Sequence, residues 1–239
     1  MGAHREDLRR EARPVILDFL SAGAAHPIVH TVARAAGIEI QGTFGAVGGI
    51  LERFDAGEPC DVLILTRAQV DALAASSRVL ASPIADLGSV ATAVAVPEGK
   101  PIPDVSTADA LRDALVAAEG IYFPDPSKAT AGKHFLQVLE KLGIHERVRA
   151  GLQIFPNGAT AMREMAQSKR RCVGCTQATE ILATPGVKLV GPLPAGCDLV
   201  TVYTAAVNAN ARNVKGASAF VERLTGAATL PDRTAAGFQ

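Results

Sequence analysis

The sequence predicts an α/β fold of two lobes, each a mixed, mostly parallel sheet flanked by helices, with a ligand cleft between them. Three observations predict it. From Val15 to Ser76, apolar runs alternate with amphipathic stretches as β-α-β-α-β-α, the order of parallel strands linked by crossover helices. From Asp109 to Val190 the same alternation returns. Two long β segments, near 90–97 and 187–207, have the length of segments that cross from one lobe to the other. The division that follows is a polar N-terminal tail at 1–13, a first lobe of 14–88 plus 195–239, and a second lobe of 89–194.

Taken in order, Val15 to Leu20 reads as a buried strand and Ser21 to Gly23 as a turn into a helix over 26–36, with Pro27 tolerated in its first turn and Gly37 closing it. Ile38 to Phe44 is the next strand. The helix over 46–56 carries Ile50, Leu51 and Phe54 on one face and stops at Gly57. Asp61 to Leu65 is a central strand, because an unbroken aliphatic run implies burial on both faces, and a helix over 67–76 follows. At Asp86 the rhythm changes. A strand over 90–96, a proline-punctuated segment over 97–106 and a helix over 109–118 with Ser106 as its cap come next. A strand ending at Phe123 then feeds a helix over 131–142 that ends at Gly143. Strand Ile154-Phe155, helix 159–167, strand 172–175, helix 176–183, strand 187–190, a β segment over 199–207 and a helix over 215–224 complete the chain.

Composition narrows the function classes. Lys plus Arg equals Asp plus Glu at 24 each, which argues against a nucleic-acid-binding surface; Lys169-Arg170-Arg171 is a local basic patch or a solvated turn. Trp is absent and aromatics are 4%, so stacking on bases or sugars is not the mode of recognition. No run approaches the roughly 18 apolar residues of a transmembrane helix. The first dozen residues are charged, and the apolar run that follows contains Asp18 and reads as the first strand rather than a secretory core. The expectation is a cytoplasmic protein, or a periplasmic one whose leader has been removed. Cys172 and Cys175 form a C-x-x-C, but no second pair or His spacing accompanies it, so zinc is not expected and both read as strand cysteines. No Ser-His-Asp order, phosphate loop or metal cluster is evident, and no cofactor or metal is expected.

The stretch IYFPDPSKATAGKHF, 121–135, runs from a strand through a small-residue loop into a helix whose first turn is Thr130-Ala131-Gly132. Such a turn presents unpaired backbone N–H groups and the positive end of a helix dipole, which together favour an anion. The construction recurs at Ser21-Ala22-Gly23, at Ala46-Val47-Gly48 and at Asn157-Gly158-Ala159. Ligands of open α/β sheets lie outside the carboxyl ends of the strands, so these turns face one cleft.

The segments LSAGA (20–24), TFGAVGGILERFDAGEPCDVLILT (43–66), PDPSKATAGKHF (124–135), VGCTQATEI (173–181), VKLVGPLP (187–194) and VTVYTAAV (200–207) carry a family likeness. Over them, and over nearly all of the chain from Val15, the sequence resembles the periplasmic molybdate-binding proteins of ABC importers, a type II periplasmic-binding-protein-like fold. The resemblance implies a small anion held by Ser21, Ala22, Gly23, Ala46, Val47, Gly48, Thr130, Ala131, Gly132, Asn157, Gly158, Thr176 and Gln177, with Thr66 and Arg67 just past the third strand. It also implies an ABC permease partner if the protein is exported. Family members place a hydroxyl in the second turn and a tyrosine near the fourth contact, where this chain has Ala46-Val47-Gly48 and Cys175-Thr176-Gln177. Fewer hydroxyls leave room for a larger, flatter anion such as an organic polycarboxylate.

The chain also resembles aconitate isomerase, an enzyme on the same fold. That likeness implies an isomerase moving a proton in an unsaturated di- or tricarboxylate. Cys175 is the candidate proton carrier, a buried strand cysteine being the alternative. Ser21 and Thr130 read as ligand contacts or helix caps, and Asn157-Gly158 as cleft lining or a plain turn. Arg67 reads as a carboxylate fork or a solvated arginine, His26 and His134 as structural or surface residues, and Glu180 as a charge on a helix face.

Overall fold

A computed structural model describes residues 15–239; the polar tail expected over 1–13 lies outside the described residues. Strands β1 (Val15–Ala22), β2 (Ile38–Gly45) and β3 (Val62–Thr66), with helices α1 (His26–Ala36), α2 (Val47–Asp55) and α3 (Arg67–Ala75), build the expected βαβαβα unit. β1 lies between β2 and β3 and runs parallel to both. α1 ends where Gly37 takes the left-handed conformation at φ 65°, and α3 starts on a capping box in which Thr66 and Gln69 satisfy each other's backbone donors.

The sequence-based expectation of a strand over 90–96 falls short. Val79–Pro97 is one strand, β4, of 19 residues. Pro83 and Asp86 break the local apolar pattern, but long-range pairing overrides it. The first half of β4 pairs antiparallel with the far strand β9 (Val200–Asn208), with register shifts beside Pro83 and Leu87. The second half pairs antiparallel with β7 (Cys172–Gln177) and β8 (Val187–Pro192). β4 is therefore the segment shared by both lobes.

The second unit holds α4 (Ala108–Ala117), β5 (Gly120–Pro124), α5 (Thr130–Lys141), β6 (Leu152–Phe155), α7 (Gly158–Ala166), β7 and the short α8 (Ala178–Leu182), with β5 parallel to both β6 and β7. The described residues add two helices that local patterning does not mark, α6 (His145–Val148) and, after α9 (Val214–Thr225), α10 (Leu230–Ala235). The sheet runs β2-β1-β3-β9-β4-β7-β5-β6, with β8 on β4.

Two sets of cores sit on this sheet. One gathers side chains between Leu17 and Val90 and from Tyr203 to Phe238; Phe19 anchors it, edge-on to Phe220 at 5.3 Å. The other set, in two clusters, gathers side chains between Ala93 and Cys197 around Phe123 and Phe135. The chain ends on the shared strand, where Ser89 and Gln239 exchange backbone hydrogen bonds of 2.9 Å each. Phe238 packs behind them on Tyr203.

Candidate functional site

The cleft forms where the carboxyl ends of β1, β2, β5 and β7 meet the helix starts that follow them. Four helices of the described chain are capped by a side chain: α3 by Thr66, α4 by Thr107, α7 by Asn157 and α9 by Asn213. The two cleft-facing helices α2 and α5 are different. Their N-cap residues are Ala46 and Ala129, and neither has a side-chain cap. An alanine cap supplies no side-chain acceptor, so the first-turn N–H groups of these ends, apart from that of Gly48, which donates to the Lys128 carbonyl, are available to a ligand.

The uncapped ends meet in an inner pocket of about 20 Å³, roomy enough for one water-sized group. Ala22, Gly23, Ala46 and Val47 of the first unit line it together with Pro124, Thr130, Ala131, Gly158, Thr176 and Gln177 of the second and Tyr203 of β9. An outer chamber of about 340 Å³ adjoins it, lined by His26, Phe44, Asn157, Ala159, Arg163 and Thr184 among others. Gly23, Gly45 and Glu180 line both cavities. The two are one cleft with a waist, and Glu180 stands at the waist.

Glu180 is buried at 7% exposure. Thr176 Oγ1 donates to its Oε2 at 2.6 Å. Its carboxylate packs so tightly on backbone that a Cβ at Gly158 would lie 2.0 Å from Oε2, and one at Gly23 would lie 2.8 Å from Oε1. Both glycines are required by this approach. Burial pushes the Glu180 carboxyl above its usual range, while Thr176 and the backbone at Ala159 and Gln177 pull the other way. Tyr203 beside it is pushed up by burial and then by the Glu180 charge. Gln177 adds an unfilled valence: its Oε1 is buried without a partner, although its Nε2 reaches Thr201 at 3.4 Å.

His26, which lines the outer chamber, has its ring 4.4 Å from that of His30 and stands edge-on to Phe44 at 4.8 Å. Burial, with the neighbouring His30, lowers the pKa of His26. Arg163 is therefore the standing positive charge here, with Nη2 3.0 Å from Thr160 Oγ1. Outside the waist, Gly48 N–H donates to the Lys128 carbonyl at 2.9 Å and Lys128 Nζ meets Glu52 at 2.8 Å, so the two sides of the cleft are in contact.

Of the residues expected to bind the ligand or move its proton, Ala22, Gly23, Ala46, Val47, Thr130, Ala131, Gly158, Thr176 and Gln177 come together in the inner pocket, and Asn157 lines the outer chamber. The rest line neither cavity. Ser21 is fully buried and spends its hydroxyl on the Ala22 carbonyl at 3.1 Å. Gly48 is the contact with Lys128, and Gly132 packs on the Pro124 carbonyl. Thr66 is a helix cap. Arg67 is held by Asp86 at 2.8 Å and by Asp71 at 3.5 Å, so its guanidinium is already paired. Cys175 has no exposure and packs among Val94, Phe123 and Phe135 in the second core. Burial pushes its thiol far up, the opposite of what a thiolate base needs. All four cysteines are free and buried. The helix expected over 176–183 begins only at Ala178, which leaves Thr176 and Gln177 on the end of β7, aimed at the cleft. Among the described residues, no group of three His, Cys, Asp or Glu side chains converges as a metal site would, and no helix is long and apolar enough to cross a membrane.

Residues 20–239 match the family model described as bacterial extracellular solute-binding protein. The chain belongs to that family. This solute-binding protein is 28% identical over 227 residues to the aconitate isomerase of a Pseudomonas species, covering 89% of this chain and 84% of that protein. Its fold is that of the Azotobacter vinelandii periplasmic molybdate-binding protein, with a TM-score of 0.74 at 17% identity over 93% of this chain and 98% of the other. The sulfate-binding protein of Mycobacterium tuberculosis H37Rv gives a TM-score of 0.71 at 17% identity, over 94% and 86% of the two chains.

Sequence reasoning missed what divides the cleft of this solute-binding protein. Glu180 reads locally as a surface charge, yet it is the third helical residue after N-cap Gln177, where a glutamate reaches back to the N-cap N–H. That spacing was the available signal. Tyr203 and Arg163 carry no comparable mark, because strand pairing and helix facing alone bring them to the site.

Proposed function

We propose that this protein binds a small organic polycarboxylate, one carboxylate at the uncapped ends of α2 and α5 in the inner pocket and the remainder in the outer chamber. The observation that carries this reading is the waisted cleft, whose inner end suits one anionic group and whose outer end holds more volume and Arg163. A tetrahedral oxometallate is disfavoured on two grounds. The hydroxyl of Ser21 is turned away, and Glu180 lines the inner pocket, where its carboxyl repels a multiply charged oxyanion more strongly than a single carboxylate. The likeness to an aconitate isomerase supports the same ligand class.

A thermal-shift panel tests it. At saturating concentration a ligand that binds the folded state at 100 times its Kd stabilises by about 2.7 kcal/mol, a shift of several degrees for a chain of this size. trans-Aconitate and citrate are expected to raise the melting temperature, and molybdate, tungstate and sulfate are not. A rise with the oxometallates alone would overturn the reading.

A second reading is favoured by the buried carboxylate at the waist and by the isomerase relative: the bound polycarboxylate is also converted, by proton transfer. As to where the protein works, its family is one of extracellular proteins, which supports export and a membrane permease as partner. The cytoplasmic expectation rests on the first twenty residues, of which 1–14 lie outside the described part of the chain.

A further inference from the structure

We propose that Glu180 is the group that moves the proton in this cleft, acting on an unsaturated polycarboxylate whose double bond lies next to a carboxylate-activated CH2. The inference rests on the polycarboxylate reading given above. Geometry assigns the role. A ligand that places one carboxylate in the inner pocket and another beside Arg163 must pass its middle carbons through the waist, and Glu180 lines both cavities there. Thr176 fixes its Oε2 and Gly158 and Gly23 close on it, so the carboxyl is held in one orientation rather than free to leave. Cys175 and Ser21 are buried away from both cavities, and Tyr203 lines the inner pocket but not the outer chamber.

The chemistry balances without any further reactant. Ionised Glu180 takes a proton from the CH2, the C–H electron pair becomes the new C=C, and the old C=C pair shifts onto the far carbon, stabilised through its carboxylate. The protonated Glu180 then returns its proton to that far carbon, giving the isomer with its double bond moved by one position. The negative charge that builds on the inner carboxylate falls on the first-turn N–H groups of α2 and α5, which are oriented before reaction. Burial raises the Glu180 carboxyl above its usual range, so its ionised form is a stronger base than an ordinary glutamate. The charged or titratable groups facing Glu180 are Tyr203 from β9 and, across the outer chamber, His26 from α1 and Arg163 from α7.

The test uses the whole chain and trans-aconitate in D2O, followed by proton NMR, with wild type, Glu180→Gln and Glu180→Asp. Wild type is expected to put deuterium into the CH2 and to form the shifted isomer. Glu180→Gln is expected to lose both by about 100-fold or more, the usual contribution of a positioned acid–base group. Glu180→Asp, which keeps the carboxyl but shortens it, is expected to retain measurable exchange. Glu180→Gln should also melt no lower than wild type. The sign follows from the raised carboxyl: a glutamate whose folded pKa lies above its unfolded value contributes stability below the unfolded pKa and loses it as pH rises through the folded one, so a neutral isostere relieves a cost at neutral pH. Continued exchange in a folded Glu180→Gln protein that still shows a trans-aconitate thermal shift would overturn the proposal. So would a wild type that binds trans-aconitate without exchanging its CH2. If no polycarboxylate shifts the wild type at all, it is the binding reading that fails.

Discussion

Gly158→Ala is expected to destroy the site and weaken the fold together. An added Cβ would meet Thr176 Oγ1 at 1.9 Å and Glu180 Oε2 at 2.0 Å, distances no packing tolerates. Either the β7 end and α8 retreat or the start of α7 does. Overpacking of this kind costs about 1–3 kcal/mol in well-ordered cores. Here it also separates the α7 backbone from Glu180, so the waist loses its shape. Titration calorimetry with trans-aconitate should show at least about a tenfold weaker Kd, equivalent to about 1.4 kcal/mol, alongside a lower urea midpoint. Unchanged affinity with an unchanged midpoint would mean that Glu180 does not sit against Gly158 in solution.

Asp61→Ala is expected to be the most damaging change away from the cleft. Asp61 is 3% exposed, and its two carboxylate oxygens accept the backbone N–H groups of Asp18 at 3.0 Å, Arg212 at 2.7 Å and Asn213 at 3.0 Å. It thereby ties the first strand to the segment that launches α9, whose own cap is Asn213. Removing it strands three donors. At about 1–3 kcal/mol for each unsatisfied buried donor, with water reaching some of them, the loss is about 3 kcal/mol. That corresponds to a fall in Tm of roughly 6–12 °C at this chain length. Circular dichroism melts check it, and Asp61→Asn, which keeps one acceptor, should lose less. The cleft is remote from Asp61, so ligand affinity should be nearly unchanged in the surviving folded fraction.

Much of the fold was legible because it is local. The aliphatic runs of β1 and β3, the apolar faces of α1 and α2, and the glycines that stop helices give elements their type within a few residues. β4 was half-hidden because pairing with β9, more than a hundred residues away, overrides Pro83 and Asp86. α10, which begins Leu230-Pro231, is held by its docking rather than its pattern: Arg233 Nη1 reaches the Leu224 and Gly226 carbonyls at 2.9 Å each. The cleft's backbone turns were legible for the same local reason, as small residues between a strand and a helix. Its side chains were not. Whether Ser21 offers its hydroxyl to a ligand depends on a rotamer, and whether Arg67 is free depends on Asp86. Whether Glu180 is solvated depends on two glycines from distant turns. Packing and pairing in three dimensions decided each case.

The crystal structure of the protein soaked with trans-aconitate tests the central claim most directly. One carboxylate should lie in the inner pocket on the first-turn N–H groups of α2 and α5, a second should lie within hydrogen-bond reach of Arg163, and the intervening carbons should pass Glu180. A ligand confined to the outer chamber, or an inner pocket that admits only molybdate or sulfate under the same conditions, would contradict it.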